Sequence, residues 1–295
     1  MSWLSQVKFW LLLTLSIPST ICSILVFIYF FRRWNTLTLD HHLTLILVTV
    51  SFIQLTTNFP FIIIYNHFNW VLPTTDSFCL WWNWWEYGWN GVLLFAMAWG
   101  SIERHLLVFR RGMMITRKQR ILFHLLPMSL ASLYPLLLYF IVIILNPCEN
   151  YWYYNEVFCG IPCYLIDYPI LATYDFIADI VFPVLMIASA NVSLIIRVVS
   201  QKRQHNVAWR RQRKLTRQLV GIAIIYILFW FPLTFGGLVL TFTSSSDLLS
   251  IQVNYFFFFV HFIPSLLPFT SITSLSDFKK TIFGKQDATV TPFTR

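Results

Sequence analysis

The sequence predicts an all-α membrane protein, a seven-transmembrane helix bundle followed by a short amphipathic eighth helix. Three observations carry this expectation. Of 295 residues, 57% are apolar and only 11% charged, and the mean hydropathy is +0.65. A soluble domain carries roughly 25% charged residues, so so few charges cannot dress a water-facing surface, and lipid is the fitting solvent. Seven apolar stretches reach the roughly 20 residues that a helix needs to cross the hydrocarbon. The basic residues, finally, fall in alternate gaps between those stretches.

The stretches run approximately Phe9–Phe31, His42–Tyr65, Phe78–Phe109, Ile121–Leu145, Pro169–Val199, Leu215–Phe242 and Ile251–Leu275. In lipid the backbone must satisfy its own polar groups, which favours helices. A β-barrel would show alternating segments of about ten residues, whereas these runs are longer and apolar on all sides. The first run is too long for a cleaved signal peptide, lacks a small-residue cleavage site and is followed by Arg32 and Arg33, so it reads as a retained span. Residues 1–8 are then an extracellular amino terminus, 9–275 the seven-span domain, and 276–295 the eighth helix and cytoplasmic tail.

Lys and Arg set the orientation. The gaps after spans one, three and five, and the tail, hold Arg32, Arg33, Arg110, Arg111, Arg117, Lys118, Arg120, Lys202, Arg203, Arg210, Arg211, Arg213, Lys214, Lys279, Lys280, Lys285 and Arg295. The gaps after spans two, four and six hold Asp76, Glu149, Glu156 and Asp247 and no Lys or Arg. The positive-inside rule puts the amino terminus outside and the tail in the cytosol of a plasma-membrane protein. The net charge of +9 therefore answers to the inner leaflet, and no nucleic-acid partner is expected.

The cysteines fit this topology. Cys22 lies within the first span, but Cys79, Cys148, Cys159 and Cys163 all fall on the outer, oxidising side. Four such cysteines suggest two disulfides with three possible connectivities. A bond from Cys79 to the second outer loop would hold that loop as a lid. Cys163 is the preferred partner, leaving Cys148 with Cys159, and Cys159 is a close second. Phosphate-loop, zinc-helix, paired-cysteine and nucleophile-elbow patterns are all missing from the sequence, so neither an enzyme nor a resident cofactor or metal is expected.

At the end of span three stands Ser101-Ile102-Glu103-Arg104-His105. An ionisable pair at a membrane edge is costly and functional by default. Cys79 precedes Arg104 by 25 residues, span six contains Phe229-Trp230-Phe231-Pro232, and Pro60, Pro183 and Pro268 punctuate spans two, five and seven. Taken together, these resemble the rhodopsin-like (class A) G-protein-coupled receptors, with His105 and Phe229 departing from the family's triplet and span-six motif. Cys79 matches the family's bridging cysteine, Pro268 its span-seven proline, and Phe278 with Lys279 and Lys280 its eighth helix.

The resemblance implies roles. Glu103 and Arg104 are expected to pair at rest, with Arg104 turning inward on activation to face a Gα subunit beside His105. Pro232 is the hinge of span six and Trp230 its sensor. Glu86, Asp175, Asp179, Trp230 and His261 line an outer ligand cavity, whose carboxylates suit a cationic amine or basic peptide. The competing expectation is that these carboxylates satisfy one another, His261, Tyr87 and Tyr174. The run Trp81-Trp82-Asn83-Trp84-Trp85 reads as an interfacial belt. Ser23, Ser51, Leu93 and Leu267 replace the polar groups that hold sodium in the family, so no sodium effect is expected. Ser271 and Asn191 stand where two tyrosines usually meet, Tyr226 replaces a phenylalanine, and Gln212 replaces an acidic residue that locks Arg104. The runner-up is a multi-pass transporter or channel, although internal repeats are missing from the sequence; a light sensor would need a lysine where His261 stands.

Overall fold

The computed structural model describes residues 3–34, 40–109, 116–200, 207–243, 246–275 and 278–283. Among them no strand occurs, and the chain is an all-α protein of membrane-spanning type. Among the described residues eight helices follow in order, apart from short helical turns in the loop between the fourth and fifth. They are α1 (Trp3–Arg32), α2 (40–68), α3 (Asp76–Phe109), α4 (Arg117–Ile144), α5 (169–200), α6 (Val207–Thr243), α7 (246–274) and the short α8 (Phe278–Phe283). Five stretches are long and apolar enough to cross a membrane: Trp3–Arg32, His41–Phe68, Arg117–Ile144, Pro169–Ile196 and Val220–Thr243. The 34-residue α3 is long but carries Asp76, Glu86, Glu103 and Arg104 among its tryptophans. The apolar helix within α7, Phe257–Thr273, is shorter. Helix α1 takes in Trp3, so residues 3–8 of the segment expected as an extracellular amino terminus belong to the first helix.

Helix α3 is the axis of the bundle, touching α2, α4, α5 and α6, while α7 closes on α1, α2 and α6. Glycine lets α3 reach α4. A Cβ on Gly91 would stand 2.6 Å from the Pro135 Cβ, and one on Gly88 3.0 Å from Leu136 Cδ2, so the two backbones meet as closely as small residues allow. Leu93, Met97, Ile187, Tyr226, Trp230 and Leu267 fill the interior. The outward faces stay apolar: Ile17, Ile21, Ile24 and Ile28 along α1, and Leu130, Leu133 and Leu137 along α4, are all exposed. A face of that kind suits hydrocarbon and would be costly in water.

Several helices widen into π turns. Gln54–Asn58, Ile121–Leu125 and Asp175–Val181 each end two residues before a proline, namely Pro60, Pro127 and Pro183. Proline has no N–H to give to the preceding turn and its ring crowds the carbonyl there. The turn above it opens, which rotates the side chains it carries. Asn58, Asp175 and Asp179 sit in these widened turns. Pro232 and Pro268, by contrast, lie inside continuous helix.

Candidate functional site

Cys79 lies near the first turn of α3 and Arg104 near its last, so the two ends are roughly 37 Å apart by helical rise, more than the ~30 Å hydrocarbon thickness. Each end carries a polar cluster.

At the disulfide end, Glu86 is buried in α3 and held from three helices. Asn58 of α2 donates to Glu86 Oε2, and Asn90, one turn along α3, donates to Glu86 Oε1 at 2.7 Å. His261 Nε2 of α7 stands 3.1 Å from Oε1, close enough for an ion pair but outside hydrogen-bonding geometry. The network extends outward through the Trp82 indole, which donates to Asn58 Oδ1 at 2.7 Å, and sideways through Gln54, which donates to Asn90 Oδ1 at 3.2 Å. His261 punctuates α7: the helix Phe257–Val260 ends there and Phe262–Ser274 begins beyond it.

Asp175 has a different set of partners. Tyr139 of α4 donates to one oxygen at 2.7 Å and Tyr164 of the following loop to the other at 3.1 Å. Asp179, one turn along α5, is 3% exposed, and neither of its oxygens is engaged at full hydrogen-bonding geometry. The Tyr134 hydroxyl stands beside its carboxylate and also meets the Tyr174 hydroxyl at 3.1 Å. Glu86 and Asp175 thus find partners inside the protein, the tyrosines on Asp175 being Tyr139 and Tyr164.

The loop above is tied down twice. Cys79 bonds Cys159 and Cys148 bonds Cys163. This corrects the expected pairing of Cys79 with Cys163 and of Cys148 with Cys159. The reason lies in the backbone: Asn83, one turn below Cys79, gives its amide to the Phe158 carbonyl at 2.6 Å and so seats Cys159 over Cys79. Cys163 instead starts the short helix Tyr164–Asp167, its N–H bonded to Asn150 Oδ1 at 2.9 Å beside Cys148. Phe158 and Cys159 both take left-handed φ, 58° and 60°, a conformation that costs a non-glycine residue about 1–2 kcal/mol. The disulfide, the Asn83 bond and the packing of Phe158 against Trp82 hold it in place. Tyr154 of this loop donates to Asp76 Oδ1 at 2.7 Å. That bond, with partial desolvation, pushes the Tyr154 phenol above its ordinary range.

The opposite end departs from the sequence expectation. Glu103 pairs with His124 of α4 rather than with Arg104, because His124 is completely buried and offers Nδ1 directly to Glu103 Oε1. The second nitrogen of His124 lies 2.9 Å from His42 Nδ1 of α2. His105 Nε2 meets the Ala190 carbonyl of α5 at 2.6 Å, and Asn191 donates to Ser101 Oγ at 2.9 Å. Arg104 is itself buried. Trp230 sits in the core, one turn beyond Tyr226, whose hydroxyl donates to the Leu93 carbonyl at 3.2 Å. Ser23 and Ser51 turn their hydroxyls back onto their own helices, as does Ser271. The side chains of Gln212, of the basic run 210–217 and of Lys279 and Lys280 lie outside the described residues, as do Arg110, Arg111, Lys202, Arg203, Lys285 and Arg295 altogether.

Sequence reasoning missed Asn58, Asn90, His42 and His124. Each is a polar residue within or at the edge of an apolar run, and that cost was the available signal. No known protein family matches the chain, and no curated protein matches it.

Proposed function

We propose that the chain crosses the plasma membrane seven times and acts as a rhodopsin-like receptor. In this reading α1 to α7 are the spans, the disulfide end faces the exterior, and the Arg104 end faces a heterotrimeric G protein. An extracellular ligand favours a state in which α6 pivots at Pro232 by binding that state more tightly. The groove opened around Arg104 accepts a Gα subunit and promotes GDP release there. The chain itself binds no nucleotide and catalyses no covalent change.

One observation supports this reading above others. Glu103 and Arg104 are buried, and His105 partly so, where α2, α3, α4 and α5 converge, one long helix away from a loop locked to α3 by Cys79–Cys159. A snorkelling arginine at a helix end would reach for the interface instead. For the ligand, Asp179 carries the cationic expectation, because a buried carboxylate with only a tyrosine hydroxyl beside it either holds a proton or receives a cation. Glu86 and Asp175 are already satisfied.

The test is nucleotide exchange on a panel of Gα subunits with the chain in lipid nanodiscs and amines and basic peptides as ligands. Wild-type chain accelerates exchange on at least one subtype, and Arg104→Ala lowers that acceleration by about tenfold or more, equivalent to about 1.4 kcal/mol of lost coupling. Equal exchange with Arg104→Ala and wild type contradicts the reading. Substrate-dependent currents in proteoliposomes would favour a transporter.

A further inference from the structure

The Arg104 end holds a line of titratable groups, two of which, His124 and His42, the receptor reading leaves unused. Glu103 on α3, His124 on α4 and His42 on α2 stand in contact one after another. His124 is fully buried, Glu103 nearly so, and His42 is partly buried at the start of its helix. Both ring nitrogens of His124 are committed, one to a carboxylate and one to an imidazole.

Each contact needs its own proton. Between the two rings one nitrogen must donate and the other accept. Two of the arrangements that satisfy the whole line, both with Glu103 ionised, bear on its proton count. In one, His124 is an imidazolium that donates both to the Glu103 carboxylate and to Nδ1 of a neutral His42. In the other, a neutral His124 donates from Nδ1 and accepts at Nε2 from a His42 protonated on Nδ1. They differ by one proton, so the line gains or loses one without breaking either contact. In the imidazolium arrangement the ring nitrogen that can still take a proton is His42 Nδ1, whose lone pair faces His124. A proton there sets two N–H groups and two like charges against each other across the 2.9 Å contact. His42 is the ring with access to water and is the one that leaves.

We propose that Glu103, His124 and His42 form a proton-holding clamp that ties α2 and α4 to the Arg104 end of α3 and releases α2 on acidification, with His124 a positioning residue for Glu103. The proposal deepens the receptor reading by placing a regulation at its coupling end. Arg104 and His105 on α3, His41 on α2, Arg32 and Arg33 at the end of α1, and Arg117, Lys118 and Arg120 on α4 stand at the same end of the bundle, and the Ala190 carbonyl of α5 meets His105.

The experiment is hydrogen exchange of the α2 amides of residues 44–50, corrected for intrinsic rates, with the full chain in nanodiscs. The pH runs from about 8 to about 5, on either side of the ordinary imidazole range. Wild-type protection should fall by about tenfold or more as the pH drops, a sub-global opening. His42→Gln, whose amide can hydrogen-bond His124 without titrating, should hold its protection across the range. His124→Gln should show low protection at every pH, and if that variant does not fold, the His42→Gln comparison decides alone. A flat wild-type profile, or the same profile in wild type and His42→Gln, overturns the proposal. No G protein is present, so failure of the clamp and failure of the receptor reading are separate results.

Discussion

Asn58 gives its amide nitrogen to Glu86 and takes the Trp82 indole proton on its amide oxygen. Replacing it with leucine leaves a buried carboxylate short of a donor and a buried indole without an acceptor. An unsatisfied buried polar group costs about 1–3 kcal/mol and a charged one more. Asn58→Leu is therefore expected to lower stability by about 3 kcal/mol, read as a lower unfolding midpoint in nanodiscs. Glu86→Gln in that background should recover part of the loss, because the charge is then gone. An Asn58→Leu chain as stable as wild type would show that Glu86 does not depend on this network. Asp179 supports the opposite expectation. Only the Tyr134 hydroxyl stands beside its oxygens, and an asparagine oxygen can still accept from it, so Asp179→Asn should leave stability within about 0.5 kcal/mol, as for a substitution that breaks no named interaction, while abolishing any response to a cationic ligand.

At the scale of elements, the closeness of α3 and α4 rests on glycine. Gly91→Val puts branched carbons where Pro135 already stands 2.6 Å from an added Cβ. Overpacking of that kind costs about 1–3 kcal/mol. Gly221 in α6 is the control, with nothing within 4 Å of an added Cβ. Gly221→Ala is expected to stabilise by up to ~1 kcal/mol through helix propensity alone. Thermal unfolding of the two variants should move in opposite directions. The helices themselves were legible in the sequence, because hydrophobic run length tracks the bilayer. Their internal irregularities were not. The π turn at Gln54–Asn58 that aims Asn58 at Glu86 depends on how Pro60 crowds the turn before it, and hydropathy says nothing of that. Likewise Glu103-Arg104 reads as a pair because its members adjoin in the chain. Adjacent residues on a helix point about 100° apart, and the partner Glu103 meets, His124, is 21 residues away on another helix. The disulfides show the same divide. Four cysteines on one side announced two bonds, but choosing between Cys159 and Cys163 required the left-handed turn at Phe158 and Cys159.

For the whole molecule, the two disulfides differ in what they close. Cys148–Cys163 spans 15 residues and Cys79–Cys159 spans 80. In the chain-entropy account these are worth about 3 and about 4–5 kcal/mol, so Cys79→Ser with Cys159→Ser should destabilise more than Cys148→Ser with Cys163→Ser. Non-reducing peptide mapping should recover those two pairs and no others. The fold, the polar clusters and the proposed coupling all assume that the loop tied to Cys79 and the segment around Arg104 face opposite sides of one bilayer. Cysteine accessibility in intact cells tests this most directly. In a Cys22→Ala background, single cysteines replace Thr74 and Ser245 on one expected side and Thr36, Gly112 and Gln204 on the other. The expected result is that a membrane-impermeant maleimide labels the first two in sealed cells and the last three only after permeabilisation. Labelling of Gly112→Cys in sealed cells, or labelling of all five alike, would contradict the account.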